Sequence, residues 1–374
     1  MHAILRPYAT AGVVLAGTGL IAATPVVAPA PAPAVASVVD VALTGLPGFL
    51  DTWEGVINTA NANFSVLKDN YMLAPGVALQ QLYANAVGYL NHFLNDPSSS
   101  TLADINTQIQ ENLVAVRDGY TLPLDVLTDT KNTVTHHTID GSITSGHAVI
   151  LAQVPGYLPA GTDVDMVNSI LQFMVSPLSG IIMGLLGPGI SPWVALLNSI
   201  TDGDSFSDII ANTVGGFFNG ATLNLDFVLP SINDAGFLPD GMSLDHLEFA
   251  FGGLLSTGSV ALTTYQAMGA NGEVDASVPV VGGSILNSLG LQLVGVPSLG
   301  QIAADGQAIG PIAAFEMWGQ VISALLGSGW DGSGTVVVTQ PALGVDLPQI
   351  PDDFAAEATN VFSGFQDFFD GIFG

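Results

Sequence analysis

The spacing of apolar residues predicts three helices in the first third of the chain. The first begins near Asp51-Thr52, a capping pair, and its apolar face consists of Trp53, Val56, Ile57, Ala60, Phe64 and Leu67. A second helix spans 76–95, and a third begins at Thr101. Together they indicate a helical, comparatively polar segment at 37–131.

The pattern changes to that of β-structure after this segment. Residues 132–146 alternate between the two faces of a strand and reach Asp140-Gly141, a strong turn signal, so we expect a β-hairpin there. Alternation predicts three more strands, at 223–229, 258–267 and 335–339.

Helical spacing returns at 244–255 and at 312–326, and the segment 346–374 is expected to form a C-terminal amphipathic helix. Its aromatic-rich stripe consists of Phe354, Val361, Phe365, Phe368, Phe369 and Ile372. The expected fold class is therefore mainly α with a minor β component (α+β). A Gly-rich, charge-poor α+β body at 132–345 lies between the helical segment and the C-terminal helix.

Three uncharged runs, at 166–201, 249–272 and 276–304, exceed the roughly 20 residues that span a bilayer. The first run is interrupted by Pro177, then by Gly187-Pro188-Gly189 and Pro192, so we expect two shorter helical pieces there. The other two runs contain polar residues and lack flanking Lys or Arg, which disfavours conventional spanning helices. Strand candidates are also too few for an all-β barrel from one chain.

Composition excludes several classes of function. The chain has 32 Asp and Glu against 4 Lys and Arg, a formal net charge of −28, and no Lys or Arg after Lys131. A protein that binds nucleic acid neutralises phosphates with cations, and attraction to anionic lipid headgroups has the same requirement. The absence of cysteine excludes disulfides, thiolate metal sites and a cysteine nucleophile.

The N-terminus predicts an export signal at 1–36. Arg6 precedes an uncharged apolar stretch at 9–23, and Ala36 followed by Ser37 forms the best cleavage site after small residues. The alternative is a retained membrane anchor, which the prolines at 25–33 disfavour because they would interrupt a spanning helix.

The leader Leu5-Arg6-Pro7-Tyr8-Ala9-Thr10-Ala11-Gly12-Val13 resembles that of a large group of exported mycobacterial proteins. Segments 282–291, 309–312 and 325–334 resemble one family of that group, identified as outer-membrane porins similar to a channel protein of Gordonia. The resemblance implies association with the outer (mycolate) membrane, passage of small solutes or ions, and assembly as a homo-oligomer. It supplies no catalytic or pore residues.

The sequence contains no catalytic motif, and we expect no catalytic, cofactor-binding or metal-binding residues. No serine has glycine at both −2 and +2, and no Gly-rich turn is followed by lysine. The histidine cluster is His136, His137 and His147, but neighbouring residues on a hairpin face opposite sides and would not share an ion.

Two acidic groups have structural explanations. Asp245 and Glu248 place carboxylates beside the imidazole of His246, but both are equally well explained as the solvent face of a helix. The run from Asp202 to Asp208 resembles the start of a calcium loop but lacks its glycine and its closing glutamate, so a helix cap is the better explanation.

Two functional hypotheses follow. The first is an exported cell-envelope protein, a porin-like channel by resemblance, which would prefer cations because its carboxylates are in large excess. The second is a soluble secreted or wall-associated protein with a structural or binding role, whose apolar runs form its core. An enzyme is the third and least favoured class.

We expect the exported protein to begin at Ser37, which N-terminal sequencing of the protein from culture would show. Ala36→Leu should block cleavage because signal peptidase requires a small residue there, whereas Val35→Leu should leave it unchanged. A protein that keeps residues 1–36 would show that this segment is an anchor.

Overall fold

The computed structural model describes residues 49–346, apart from 143–144, 159–160, 236–237, 261–263, 269–270, 298, 331, 333–335 and 344. The predicted signal peptide with its Ala36–Ser37 cleavage site and the predicted C-terminal aromatic stripe lie outside the described residues.

The three predicted N-terminal helices are confirmed, as α1 Phe49–Leu73, α2 Val77–Asn95 and α3 Ser99–Thr121. Helix α3 begins earlier than expected because Ser98 is its N-cap, and the Ser98 hydroxyl accepts a hydrogen bond from the Thr101 backbone N–H at 3.2 Å.

The hairpin predicted at 132–146 is wrong, because residues Thr128–Thr138 form helix α4. Thr130, Val134, His137 and Thr138 are buried at helical spacing, which the local β-propensity of this segment obscured. Burial of this face therefore favours the helix over the predicted hairpin.

The remaining helices are α5 Gly146–Gln153, α6 Val164–Met174, α7 Pro177–Asp202, α8 Phe206–Asn219, α9 Leu229–Asp234, α10 Ile285–Ser288 and α11 Pro311–Ser323. Helix α11 confirms the helix predicted at 312–326, and a π-helical turn at Ala324–Ser328 extends it.

The first uncharged run is interrupted at Pro177, as predicted, because α6 ends at Met174 and α7 begins at Pro177. The predicted break at Pro188 and Pro192 is wrong, because helix α7 spans both. It continues through Pro188 and Pro192 to Asp202, although each proline removes one backbone hydrogen-bond donor. Extensive packing along one side of the helix offsets these losses.

The strands are β1 Ala221–Asn224, β2 Ser243–Phe251, β3 Thr264–Met268, β4 Val274–Pro279, β5 Leu289–Val296, β6 Gly300–Ala304 and β7 Val336–Val338. One sheet has the order β1-β2-β5-β6 and is antiparallel throughout. The other has the order β4-β3-β7, with β3 and β7 parallel.

The helix predicted at 244–255 is wrong, because this segment contains the central strand β2. A register shift between Leu244 and His246 interrupts the period of two, so the sequence pattern mimics helical spacing. The strand predicted at 223–229 is shorter than expected, because pairing ends at Asn224 and Leu229 begins α9.

The fold class is mainly α with a minor β component, as predicted, and the described residues are 61% helical and 16% strand. The core surrounds α11, where the side chains of Ala313, Met317, Val321 and Ile322 are completely buried. Helix α11 packs against α1, α2, α4 and α7, so it connects the N-terminal helices to the body.

The inner face of α7 carries glycine at the positions where backbone from other parts of the chain approaches it closely. A Cβ atom added at Gly180 would overlap the carbonyl of Gly283, and one added at Gly187 would overlap that of Gly252. At Gly184 the added atom would lie 2.9 Å from the carbonyl oxygen of Gly310. Three separate loops therefore meet one helix face that has no room for side chains.

We expect Gly187→Ala to lower the free energy of unfolding by about 1–3 kcal/mol, because the new methyl group displaces the Gly252 loop. Gly189→Ala on the same helix meets open space and should raise it by about 0.5–1 kcal/mol through helix propensity. Urea unfolding of both variants measures the difference. Equal effects would show that the close approach does not constrain the fold.

Candidate functional site

The outer face of helix α7 is the most unusual surface among the described residues. Between residues 185 and 200 its exposed positions recur at helical spacing and consist of Leu185, Leu186, Gly189, Trp193, Leu197 and Ile200. The four aliphatic side chains are each more than half exposed, and Trp193 is 66% exposed. We call this set the α7 outer stripe. It contains no polar side chain over a length of about 22 Å.

A surface helix usually buries its large apolar residues and exposes polar ones. Helix α7 buries Ile181, Met183 and Val194 together with small residues at 180, 184, 187, 191 and 195, but its exposed face also carries large apolar side chains. Small residues inside and large apolar residues outside are typical of helices that pack against protein on one side and lipid on the other.

Helix α8 fixes α7 from the side by the same close approach. Ser191 donates a hydrogen bond from its hydroxyl to the carbonyl of Gly216 at 2.7 Å, and Gly216 itself lies against Ser191 and Ala195. Because the polar group of Ser191 is satisfied within the protein, the inner face needs no water. The orientation of the outer stripe is therefore determined by packing.

Exposed apolar side chains continue onto the helices on either side of α7. On α6 they include Ile170 and Phe173, and on α8 they include Phe206, Ile210 and Phe217. Phe206 is 79% exposed, at the first position of its helix. The apolar character thus extends beyond α7 itself.

By length and composition, α7 is long and apolar enough to cross a membrane, and within the described residues it is the one helix that is. Only 39% of its most apolar 18-residue window is buried within the protein. Most of that window therefore remains available for contact with another apolar phase.

The acidic run after α7 caps the next helix, as predicted, and its side chains bind protein donors. The Ser205 hydroxyl accepts a hydrogen bond from the Asp208 backbone N–H at 3.3 Å and is the N-cap of α8. Hydrogen bonds from the hydroxyls of Ser205 and Thr52 lower the pKa of Asp208. The Asp204 carboxylate accepts from the Asn212 amide at 3.0 Å.

The histidine cluster is divided between two elements. His136 and His137 lie on α4 and His147 on α5, not on a hairpin as expected. His147 is completely buried, with Nδ1 against the Asp140 carboxylate and Nε2 2.8 Å from the carbonyl oxygen of Leu289. Both ring nitrogens face acceptors, so this imidazole fastens the start of α5 to β5.

The contact with His147 also changes the pKa of Asp140. Burial alone would raise the pKa of its carboxyl, but hydrogen bonding and charge attraction from His147 outweigh it and hold the pKa below its usual value. The Asp140 carboxylate also accepts a hydrogen bond from the His147 backbone N–H at 3.0 Å. The pair has a structural explanation and leaves neither ring nitrogen for a metal ion.

The group of Asp245, His246 and Glu248 lies on strand β2 and not on a helix. The His246 imidazole pairs with Asp226 and not with Asp245. Its Nδ1 atom lies 2.9 Å from the Asp226 carboxylate, and its Nε2 atom lies 3.4 Å from the Glu248 carboxylate. Burial lowers the pKa of His246, but the two carboxylates outweigh burial and raise it. Glu248 also accepts from the Gly306 backbone N–H at 2.9 Å. These contacts hold strand β2 against the turn that contains Asp226 and the loop that contains Gly306.

The spacing of residues in the sequence did not identify Asp226 as a partner of His246. Asp226 is distant from His246 in the chain and comes close to it only because of the turn after β1. Among the described residues, no group of three or more His, Asp or Glu side chains could hold a metal ion.

Comparisons of the chain with models of protein families, with curated proteins and with solved structures gave no match. The function is therefore argued from the surface chemistry described above.

Proposed function

We propose that this protein is an exported cell-envelope protein that contacts an uncharged lipid layer through the α7 outer stripe. The observation that carries the proposal is the exposed apolar stripe of α7, opposite a face on which glycines allow close contact with the protein. Contiguous exposed apolar surface of this kind marks a contact with a membrane or a partner.

Charge favours lipid over a second copy of the chain. Each copy has a formal net charge of −28, and after Lys131 there is no cation to pair with the acids of a partner. Two such surfaces would repel each other, which opposes association. An uncharged or zwitterionic lipid surface does not impose this cost.

The same charge selects the type of lipid. Interfacial helices usually combine an apolar face with lysine and arginine that bind anionic headgroups. Helix α7 has only the apolar half of this arrangement, since none of the chain's four cations lies beyond residue 131. We therefore expect binding that depends on apolar burial and is weakened by anionic lipid.

Packing determines how the helix lies in the lipid. Loops at Gly252, Gly283 and Gly310 cover one side of α7, so the helix cannot be surrounded by lipid without unfolding the body. The outer stripe would enter the apolar layer along one side, with the rest of the protein above it. This is the geometry of a helix lying in the interface.

We expect the purified protein to float with vesicles of phosphatidylcholine in a density gradient, and the fluorescence of Trp193 to shift to the blue. The double variant Leu185→Ser/Leu197→Ser should weaken partitioning at least about tenfold, because two exposed leucines lose their burial in lipid. Phe64→Ser on α1 is the matched control, because Phe64 is similarly exposed but lies on another helix.

Three results would contradict the proposal. The protein could remain monodisperse in buffer without binding vesicles, which would support the soluble alternative. It could bind only in the presence of anionic lipid. It could also form a dimer that the double variant dissociates, which would assign the stripe to a second copy.

The porin-like channel suggested by the resemblance is the second candidate, and the length and apolar character of α7 favour it. If the protein conducts ions in a planar bilayer, reversal potentials under a KCl gradient should show cation preference, because carboxylates exceed cations by 32 to 4. Anion preference, or the absence of conductance from protein that has bound lipid, would contradict it.

A further inference from the structure

A cavity of about 460 Å³ lies between the end of α1, the start of α2 and one side of α11. This volume is within the range of about 300–1,000 Å³ for small-molecule sites. Its walls are mostly apolar and include the aromatic side chains of Tyr71, Phe315 and Trp318. The cavity is separate from the α7 outer stripe, since none of its lining residues belongs to α7.

Two polar residues in the wall already have protein partners. The Gln320 amide donates to the Asn70 side-chain oxygen at 2.5 Å, and the Asn70 amide donates to the carbonyl of Pro279 at 2.9 Å. Both residues are almost completely buried, and their bonds fasten the end of α1 to α11. They form a rigid side of the cavity and do not require a ligand.

Glu316 differs from these residues. Its Oε2 atom is buried and has no hydrogen-bond partner among the described residues. Burial raises the pKa of its carboxyl to about 8, so the group is mostly protonated at neutral pH. Burying a carboxyl without a partner costs free energy, and a ligand that bonds to it would recover that cost.

The side chains that line the cavity favour a cationic ligand. Glu316 is the acid among them, and no Lys, Arg or His is present to hold an anion. The net charge of −28 attracts cations from solution. Aromatic rings in the wall can also bind an ammonium group through their faces.

We propose that this cavity binds an amphiphilic amine, with its apolar body against the aromatic wall and its ammonium group donating a hydrogen bond to the Glu316 carboxylate. Binding then requires the ionised carboxylate, so the ligand displaces the proton from Glu316. Tyr71 is the other titratable side chain in the wall.

Isothermal titration calorimetry with decylamine, 1-decanol and decanoate tests the proposal, because these probes share one chain and differ only in the head group. We expect decylamine to bind at least tenfold more tightly than the other two at pH 8.5. Its affinity should fall about tenfold for each pH unit below about pH 8, where Glu316 takes up its proton.

Two variants separate the head-group contact from the apolar cavity. Glu316→Gln keeps the shape of the side chain and should remove both the preference for the amine and its pH dependence. Gly319→Leu should reduce binding of all three probes, because a side chain at Gly319 meets open space and would occupy the cavity.

The Leu185→Ser/Leu197→Ser variant should bind decylamine as the unchanged protein does, which excludes adsorption to the α7 outer stripe. Equal binding of amine and alcohol, or unchanged amine binding by both Glu316→Gln and Gly319→Leu, would overturn the proposal. If the double variant loses lipid binding but still binds the amine, the two sites act independently of each other.

Discussion

The close approach of backbone to the inner face of α7 is the constraint on which the rest of the structure depends. Three loops, represented by Gly252, Gly283 and Gly310, lie against one helix at distances that exclude side chains. The loop at Gly252 leaves β2, and the one at Gly310 leads into α11. The helix thereby sets the position of the four-stranded sheet relative to the central helix of the core.

This constraint also determines the chemistry of the surface. Where backbone approaches α7 most closely, at Gly180, Gly184 and Gly187, the helix has no room for large side chains, and the exposed face carries several of them. The loops at Gly283 and Gly310 supply part of the surface against which α7 packs. The exposed leucines and Trp193 follow from the way the helix is held, and the proposed contact with lipid gives them an apolar environment.

The sequence predicts the elements whose burial pattern is local and misses those that other parts of the chain determine. The helices α1, α2, α3 and α11 are amphipathic on their own, so apolar spacing identified them. Strand β2 has a register shift next to Asp245 that disguises its alternation. Helix α7 contains two prolines that normally end helices, and only its packing explains why it continues.

The candidate sites show the same division. The sequence contains the α7 outer stripe at helical spacing, and reading the small and large residues of the run as two faces would have revealed it. Glu316 gave no such signal, because a single carboxylate in an apolar helix is common at the surface. Its significance depends on Tyr71 and Val77, which the fold brings from distant helices. Asp226 is likewise found only in three dimensions.

The position of α7 along the chain has a consequence for assembly. The loops that cover its inner face come from residues near 252, 283 and 310, so the helix emerges from the ribosome long before its packing partners. Contacts between distant parts of a chain form slowly, because the loops between them must first be ordered. Until then the side of the helix that these loops cover is exposed, and the chain is prone to aggregate. A chain of this design benefits from a chaperone that holds it until residue 310 and beyond have been synthesised.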